Sequence, residues 1–287
     1  MTFQALIGIF KFMSKDYVLK TDDNEIIRLT TFGKIDDPCI IFVHGFKGFK
    51  DWGFGPYLAD YFSSNGFFVI TFNFSLNGVG ESLTEFDELD KFARNSFSRE
   101  VEELNFIISS FRNGFFGEVD PDKKIGLLGH SRGGADAILC GSSNDNVSAV
   151  ATWSAVAKLD RYSDRQKKEW KEKGYFEILN SRTNQMMKMD YSFLKDIEEN
   201  SESSLSMKKA VANMNKPLFI VHGEQDVAVP VTEAETIFNW SDKSKTELLI
   251  IHNTGHTFNV QHPFSGSNEK FEILLNETNI FFNKQLN

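Results

Sequence analysis

The sequence predicts an α/β fold: a doubly wound, mostly parallel sheet carrying a small, largely helical insertion. Three observations carry this reading. Short apolar runs of strand character alternate with stretches of helical periodicity, the pattern of strand–helix–strand units. Several of those runs end in glycine-bearing loops that present polar residues: His44-Gly45, Gly129-His130-Ser131-Arg132-Gly133, His222-Gly223-Glu224-Gln225-Asp226 and Gly255-His256. Between the runs at 149–154 and 217–221, about sixty residues change character, with charged helical patterning and five of the seven methionines.

The elements follow in chain order. Met1 to Lys11 is apolar but lacks a basic leader and a small-residue cleavage site, and is too short to span a bilayer. It is expected to pack on the core edge as a strand or helix. Alternation over 15–31 predicts an opening hairpin turning at Asp22-Asp23-Asn24. Strands at 39–43 and 67–74 bracket a helix near 55–64. Phe97, Val101, Leu104, Ile107, Ile108 and Phe111 recur at helical spacing and predict a helix over 92–112. A strand at 125–128 leads through the Gly129–Gly133 turn into a helix, and strands follow at 149–154, 217–221 and 248–251. Residues 1–157 and 216–287 thus form a core domain, interrupted by an insertion at 158–215. At 287 residues the chain is long enough for one large core and that insertion.

Strand, Gly-x-Ser-x-Gly, helix is the arrangement that raises a serine hydroxyl on a sharp turn. The flanking glycines carry no Cβ to clash there. A hydroxyl near neutral pH needs a base to take its proton, and the base needs an orienting acid. Asp226 and His256 both lie just beyond the carboxyl ends of later strands, where open α/β sheets place their ligands. Among six histidines, His44, His130 and His222 belong to strand-end motifs and read as packing or supporting groups, and His262 is the weaker rival to His256. Glu224, on the same loop, is the rival to Asp226.

With these motifs in this order, the chain resembles the α/β-hydrolase superfamily of serine hydrolases from about residue 25 to the C-terminus. Asn77-Gly78-Val79-Gly80-Glu81-Ser82 also resembles the Gly-x-Gly-x-Ser turn after the fourth strand of many members. Within the superfamily it is similar to bacterial cinnamoyl/feruloyl-esterase-like enzymes and dienelactone-hydrolase-related proteins. It departs from dienelactone hydrolases, which use cysteine, and from haloalkane dehalogenases and epoxide hydrolases, which use aspartate where Ser131 stands. The resemblance implies Ser131 as nucleophile, His256 as base and Asp226 as its orienting acid. It places the backbone N–H groups of Phe46 and Arg132 in an oxyanion hole. It also implies cleavage of carboxylic esters of small to medium or aromatic acids through an acyl-enzyme. Thioester, amide or C–C bond hydrolysis, a hydroxynitrile-type lyase, and a non-catalytic hydrolase-like binding protein are the alternatives.

By position, 158–215 resembles the cap that many α/β-hydrolases insert after the sixth strand. Trp170 and Tyr175 are the aromatics expected at the substrate pocket, and Trp153, at a strand's carboxyl end, is expected there too, lining the acyl site, or else to pack under the cap. Met186, Met187, Met189, Met207 and Met214 read either as an adaptable lid lining or as filler for the cap's own core. The 29 phenylalanines read as compositional bias, with Phe in core positions.

A net charge of −9 argues against nucleic acid or an anionic membrane as partner. Cys39 and Cys140 lie in apolar settings and read as free thiols in a reducing cytosol. No zinc-type ligand spacing and no phosphate-loop or dinucleotide motif occurs, so no metal or cofactor is expected. The expected partner is a small-molecule ester, met by a cytoplasmic monomer or homodimer.

Overall fold

The computed structural model describes residues 14–287. The expectation for Met1 to Lys11 lies outside them. The described residues form an eight-stranded sheet in the order β1-β2-β4-β3-β5-β6-β9-β10 and a separate two-stranded hairpin.

β1 (Lys15–Lys20) and β2 (Ile26–Phe32) make the opening hairpin, in register from Lys15↔Thr31 to Lys20↔Ile26. β1 is the sheet edge, with lysines at both ends and mostly exposed residues, which discourages pairing with another chain. β2 alone runs against the rest, since it is antiparallel to both β1 and β4 (Phe68–Asn73). β3 (Cys39–Val43), β4, β5 (Ile125–His130) and β9 (Leu218–Gly223) are buried along their whole length, as central strands covered on both faces must be. β6 (Val147–Trp153) and β10 (Thr246–Ile251) complete the parallel set.

Helices cover both faces. α1 (Gly55–Ser64) and the C-terminal α9 (Glu269–Leu286) bury Leu58, Phe62, Phe271, Leu274 and Phe282 against Ile40, Phe42, Val69 and Trp153. On the other face, α3 (Phe97–Arg112), α4 (Arg132–Ser143) and α8 (Val231–Trp240) pack against Ile41, Ile70 and Leu127. The helix expected over 92–112 is two helices. α2 (Leu89–Arg94) ends at Asn95, and Ser96 turns to extended backbone and caps α3 by accepting from the Arg99 N–H. Apolar periodicity runs across this junction and so suggests one helix, whereas the Ser96 cap divides it in two.

The insertion after β6 mixes helix and strand. α5 (Asp164–Lys173) opens with a Ser163/Gln166 capping box and closes on left-handed Gly174. β7 (Tyr175–Asn180) and β8 (Gln185–Asp190) then form a hairpin that the largely helical expectation omitted. Polar residues 181–184 make its tip between two apolar alternations, a strand signal obscured by the methionines in β8. α6 (Tyr191–Asn200) and α7 (Met207–Ala212) lead back to β9. Trp170 is fully buried here, stacked on Phe193 at 5.9 Å and flanked by Tyr162 and Phe176. Among the described residues, no helix is long and apolar enough to cross a membrane.

Because Trp170 forms the centre of the insertion's packing, Trp170→Ala is expected to cost about 3–5 kcal/mol. Urea denaturation of the two proteins side by side measures it.

Candidate active site

The turn after β5 carries the site. Ser131 has φ 59° and ψ −118°, a left-handed conformation that costs a non-glycine residue about 1–3 kcal/mol. The surroundings enforce it. The Ser131 N–H donates to the Trp153 carbonyl at 2.8 Å, and its own carbonyl accepts from Gly134 at 3.0 Å. A Cβ on Gly129 would stand 2.2 Å from the Gly133 carbonyl oxygen, and one on Gly133 would stand 2.3 Å from that of Val43. Only glycine fits either position.

Two later loops converge on the serine. His256 Nε2 lies 3.0 Å from Ser131 Oγ, and its Nδ1 lies 2.8 Å from Asp226 Oδ2. Asp226 is buried; its Oδ1 accepts from the Ala228 and Val229 N–H groups at 2.9 and 2.8 Å. Burial alone would raise the Asp226 carboxyl. Hydrogen bonds from His222, His256 and Val229 outweigh it and hold the group well below the usual carboxylate range. Asp226 therefore stays ionised, and an ionised acceptor at Nδ1 leaves Nε2 to face the serine hydroxyl.

The rival residues are engaged elsewhere. Glu224 pairs with His252 at 3.0 Å on the exposed side of its loop. His262 Nδ1 accepts from the Gly53 N–H at 3.0 Å while its ring stacks on Trp52. His222 Nε2 donates to the Val229 carbonyl at 2.8 Å and lies 3.4 Å from Asp226 Oδ2. His130 Nε2 donates to the His256 carbonyl at 2.9 Å, tying the histidine loop to the turn that holds Ser131. His44 is buried under the loop after β3, with Asn77 of the Gly-x-Gly-x-Ser-like turn donating to the Gly48 carbonyl beside it.

Arg132 and Phe46 flank Ser131. Arg132 is the first residue of α4, where the backbone N–H has no acceptor within the helix. Its side chain is buried. The guanidinium makes a 2.6 Å ion pair with Glu100 and lies over the rings of Phe97 at 4.2 Å and Phe193 at 4.8 Å. Asp136 lies in the same buried cluster. Burial, reinforced by the charge of Glu100, raises its carboxyl well above the usual range. The sequence reading missed this cluster, because Glu100 falls on the polar side of a helical pattern.

Ser131 and His256 border two cavities. One, of about 260 Å³, has aromatic walls from Phe46, Phe49, Trp52 and Phe54 and takes Asn180 and Arg182 from the insertion hairpin. The other, of about 320 Å³, is walled by Phe97, Val156, Leu159, Tyr162 and Phe193. None of the three aromatics expected at the pocket lines either one. Trp153 points into the core beneath, donating to Thr278 at 3.0 Å and packing on Phe54 and Phe271, because its place in β6 directs it to the α1/α9 face. Trp170 is taken up by the insertion's own core. Tyr175 is half-buried, with the Lys188 ammonium 4.5 Å from its ring centre. The methionines do not line the cavities either: Met187, Met189, Met207 and Met214 are core residues and Met186 is exposed.

The parallel sheet with this strand order and a serine at the β5–α4 turn define an α/β-hydrolase. Solved structures agree on the fold. α/β Hydrolase GrgF from Penicillium sp. sh18 superposes with a TM-score of 0.73 at 17% identity, covering 96% of this chain and 99% of that one. Est1E from Butyrivibrio proteoclasticus, solved with ferulic acid bound, gives 0.72 at 16% identity, covering 94% and 98%. An esterase from Pyrococcus furiosus gives 0.64 at 19% identity, covering 96% and 92%. Residues 57–287 match the model of the prolyl oligopeptidase family, and the chain belongs to that family: it is a serine hydrolase of α/β fold. No curated protein matches the sequence.

The supporting histidines set a stability limit on the acid side. Burial lowers His44 to about 4 and His130 to about 3, against about 6.5 in an unfolded chain. As pH falls below about 6.5, the unfolded chain takes up protons that the folded one refuses, so stability drops until the folded values are reached. Each histidine is expected to cost about 2 kcal/mol at pH 5 relative to neutral pH. In His44→Gln, the stability lost between about pH 7.5 and pH 5 should shrink by about that amount in urea titrations.

Proposed function

We propose that this protein hydrolyses carboxylic esters of small to medium or aromatic acids through an acyl-enzyme on Ser131. The observation that carries this reading is the unbroken relay Asp226–His256–Ser131, at 2.8 and 3.0 Å, opening onto two cavities. His256 Nε2 takes the Ser131 proton as Oγ attacks the ester carbonyl, and Asp226 stabilises the imidazolium that forms. The tetrahedral oxyanion is received by the Phe46 and Arg132 N–H groups, in a setting where one donor is worth about 2.7–4 kcal/mol. His256 then gives its proton to the leaving alcohol. Water, activated by the same imidazole, releases the acid. Two cavities meeting at the nucleophile suit the two halves of an ester. The aromatic walls of the smaller one suit a planar ring, and Est1E is a relative by fold that has been seen with ferulic acid bound.

The family match favours a second reading, cleavage of short peptides or amides on the same residues. The cavity chemistry weighs against peptides held by a free amino terminus. The lining includes Lys47, Arg161 and Arg182, and no aspartate or glutamate among the described residues to receive an ammonium.

A panel of para-nitrophenyl esters, methyl hydroxycinnamates, acyl-CoA thioesters and prolyl para-nitroanilides separates these readings. Esters are expected to be cleaved with the highest kcat/KM, and preference for the anilides would reverse the assignment. Ser131→Ala should lower kcat by at least about 10⁴-fold and abolish labelling by a fluorophosphonate, with an unchanged far-UV spectrum. Asp226→Asn should lose about 10⁴-fold, since its amide no longer selects the working tautomer. Full turnover by Ser131→Ala would refute the nucleophile.

A further inference from the structure

The smaller cavity ends in groups that donate hydrogen bonds or carry positive charge. Arg182, at the tip of the β7–β8 hairpin, lies 5.4 Å from the Trp52 ring and donates to the Lys47 carbonyl. Lys47, at φ 54° in the loop after β3, reaches back to the Leu179 carbonyl at 3.4 Å. These contacts are to backbone oxygens and an aromatic face. Among the described residues, neither cation has a carboxylate partner, although most other basic side chains around the site do: Arg132 has Glu100, and Arg161 has Glu233.

Two further lining residues hold nitrogen donors that are buried without an acceptor among the described residues, Asn180 Nδ2 and Trp52 Nε1. The Asn180 amide orientation is fixed by its oxygen, which accepts from the Arg182 N–H at 3.3 Å. A buried donor left unsatisfied costs about 1–3 kcal/mol, and an anionic acceptor would relieve that. The uncancelled charge is also felt by the neighbours. Burial and then the Arg182 charge lower the Lys47 ammonium, and the same two causes lower His262.

We infer that the cavity bounded by Trp52, Asn180, Arg182 and Lys47 binds an anionic group, and that the substrates are aromatic esters bearing a carboxylate remote from the ester bond. This rests on the ester-hydrolase reading and narrows it. The aromatic walls take the ring and the cationic end takes its charged substituent, while the ester carbonyl lies at Ser131. Arg182 serves as a specificity residue, since its planar fork matches a carboxylate.

The experiment compares matched substrates. Para-acetoxybenzoate and para-acetoxybenzamide place the charge, or its neutral isostere, on the alcohol side. Monomethyl terephthalate and methyl para-carbamoylbenzoate place it on the acyl side. In at least one pair, the carboxylate is expected to be preferred by about tenfold in kcat/KM, mainly through KM. The preference should fall with added salt, drop to near parity in Arg182→Gln, and return in part in Arg182→Lys. Parity in both pairs for a wild-type enzyme that cleaves para-nitrophenyl acetate would overturn the anion site and leave the ester reading standing. A preference retained in Arg182→Gln would overturn it as well. If no ester is cleaved, the ester reading falls, and calorimetric titration of terephthalate into Ser131→Ala decides the site. Saturable, salt-sensitive binding that Arg182→Gln removes supports it, and absence of binding rejects it.

Discussion

The left-handed backbone at Ser131 is the constraint around which the molecule is arranged. It holds an L-residue where L-residues are strained, and the strain persists only because neighbouring elements over-determine it. The end of β6 accepts the Ser131 N–H, and the start of α4 fills the space that a Cβ at Gly129 would need. The end of β3 presses on Gly133 from the other side. A strand end, a helix start and the neighbouring strand therefore meet at one residue. Its hydroxyl is left standing at the carboxyl edge of the sheet, where the loops after β9 and β10 deliver Asp226 and His256.

Arg132 extends this constraint outward. Its backbone begins α4 beside the serine, and its side chain is clamped between Glu100 and Phe97 of α3 and Phe193 of α6. The insertion is thus joined to the site through a buried cation. It is joined a second time by the hairpin tip, where Arg182 and Lys47 exchange hydrogen bonds with each other's loops and Gln185 donates to the Phe86 carbonyl at 3.0 Å. With these two attachments, the insertion supplies one wall to each cavity, and the strip between them carries Ser131 and His256. Its own stability comes from the Trp170–Phe193 stack and the buried methionines, which leaves the hairpin tip free to present polar groups.

The lining of the smaller cavity is accordingly divided between aromatic and charged parts. Phe46, Phe49, Trp52 and Phe54 stand on the segment that follows β3, and Trp52 stacks on His262 and meets the Arg182 guanidinium. Ser131, His256 and Asp226 are fixed by hydrogen bonds that reach the backbone of three separate loops. Lys47 and Arg182 at the edge are held by carbonyl groups and ring faces, with no carboxylate partner among the described residues.

Local pattern in the sequence determined the alternating architecture, the opening hairpin, the helix at 55–64, and the loop positions of Ser131, Asp226 and His256. These follow from short-range rules: side-chain periodicity, glycine at a crowded turn, and polar residues directly after buried strands. The break at Ser96 and the β7–β8 hairpin were legible only in part, because apolar periodicity ran across one and methionines masked the other. Tertiary structure alone decided which aromatics face the cavities. Trp153 and Trp170 have the composition of pocket residues, yet neighbours distant in sequence, Phe271 and Phe193 among them, draw them into cores. Arg182 carries no sequence signal at all. It acquires its place because a hairpin folds back onto a loop 135 residues away, and burial, orientation and uncancelled charge are properties of that packing rather than of any segment.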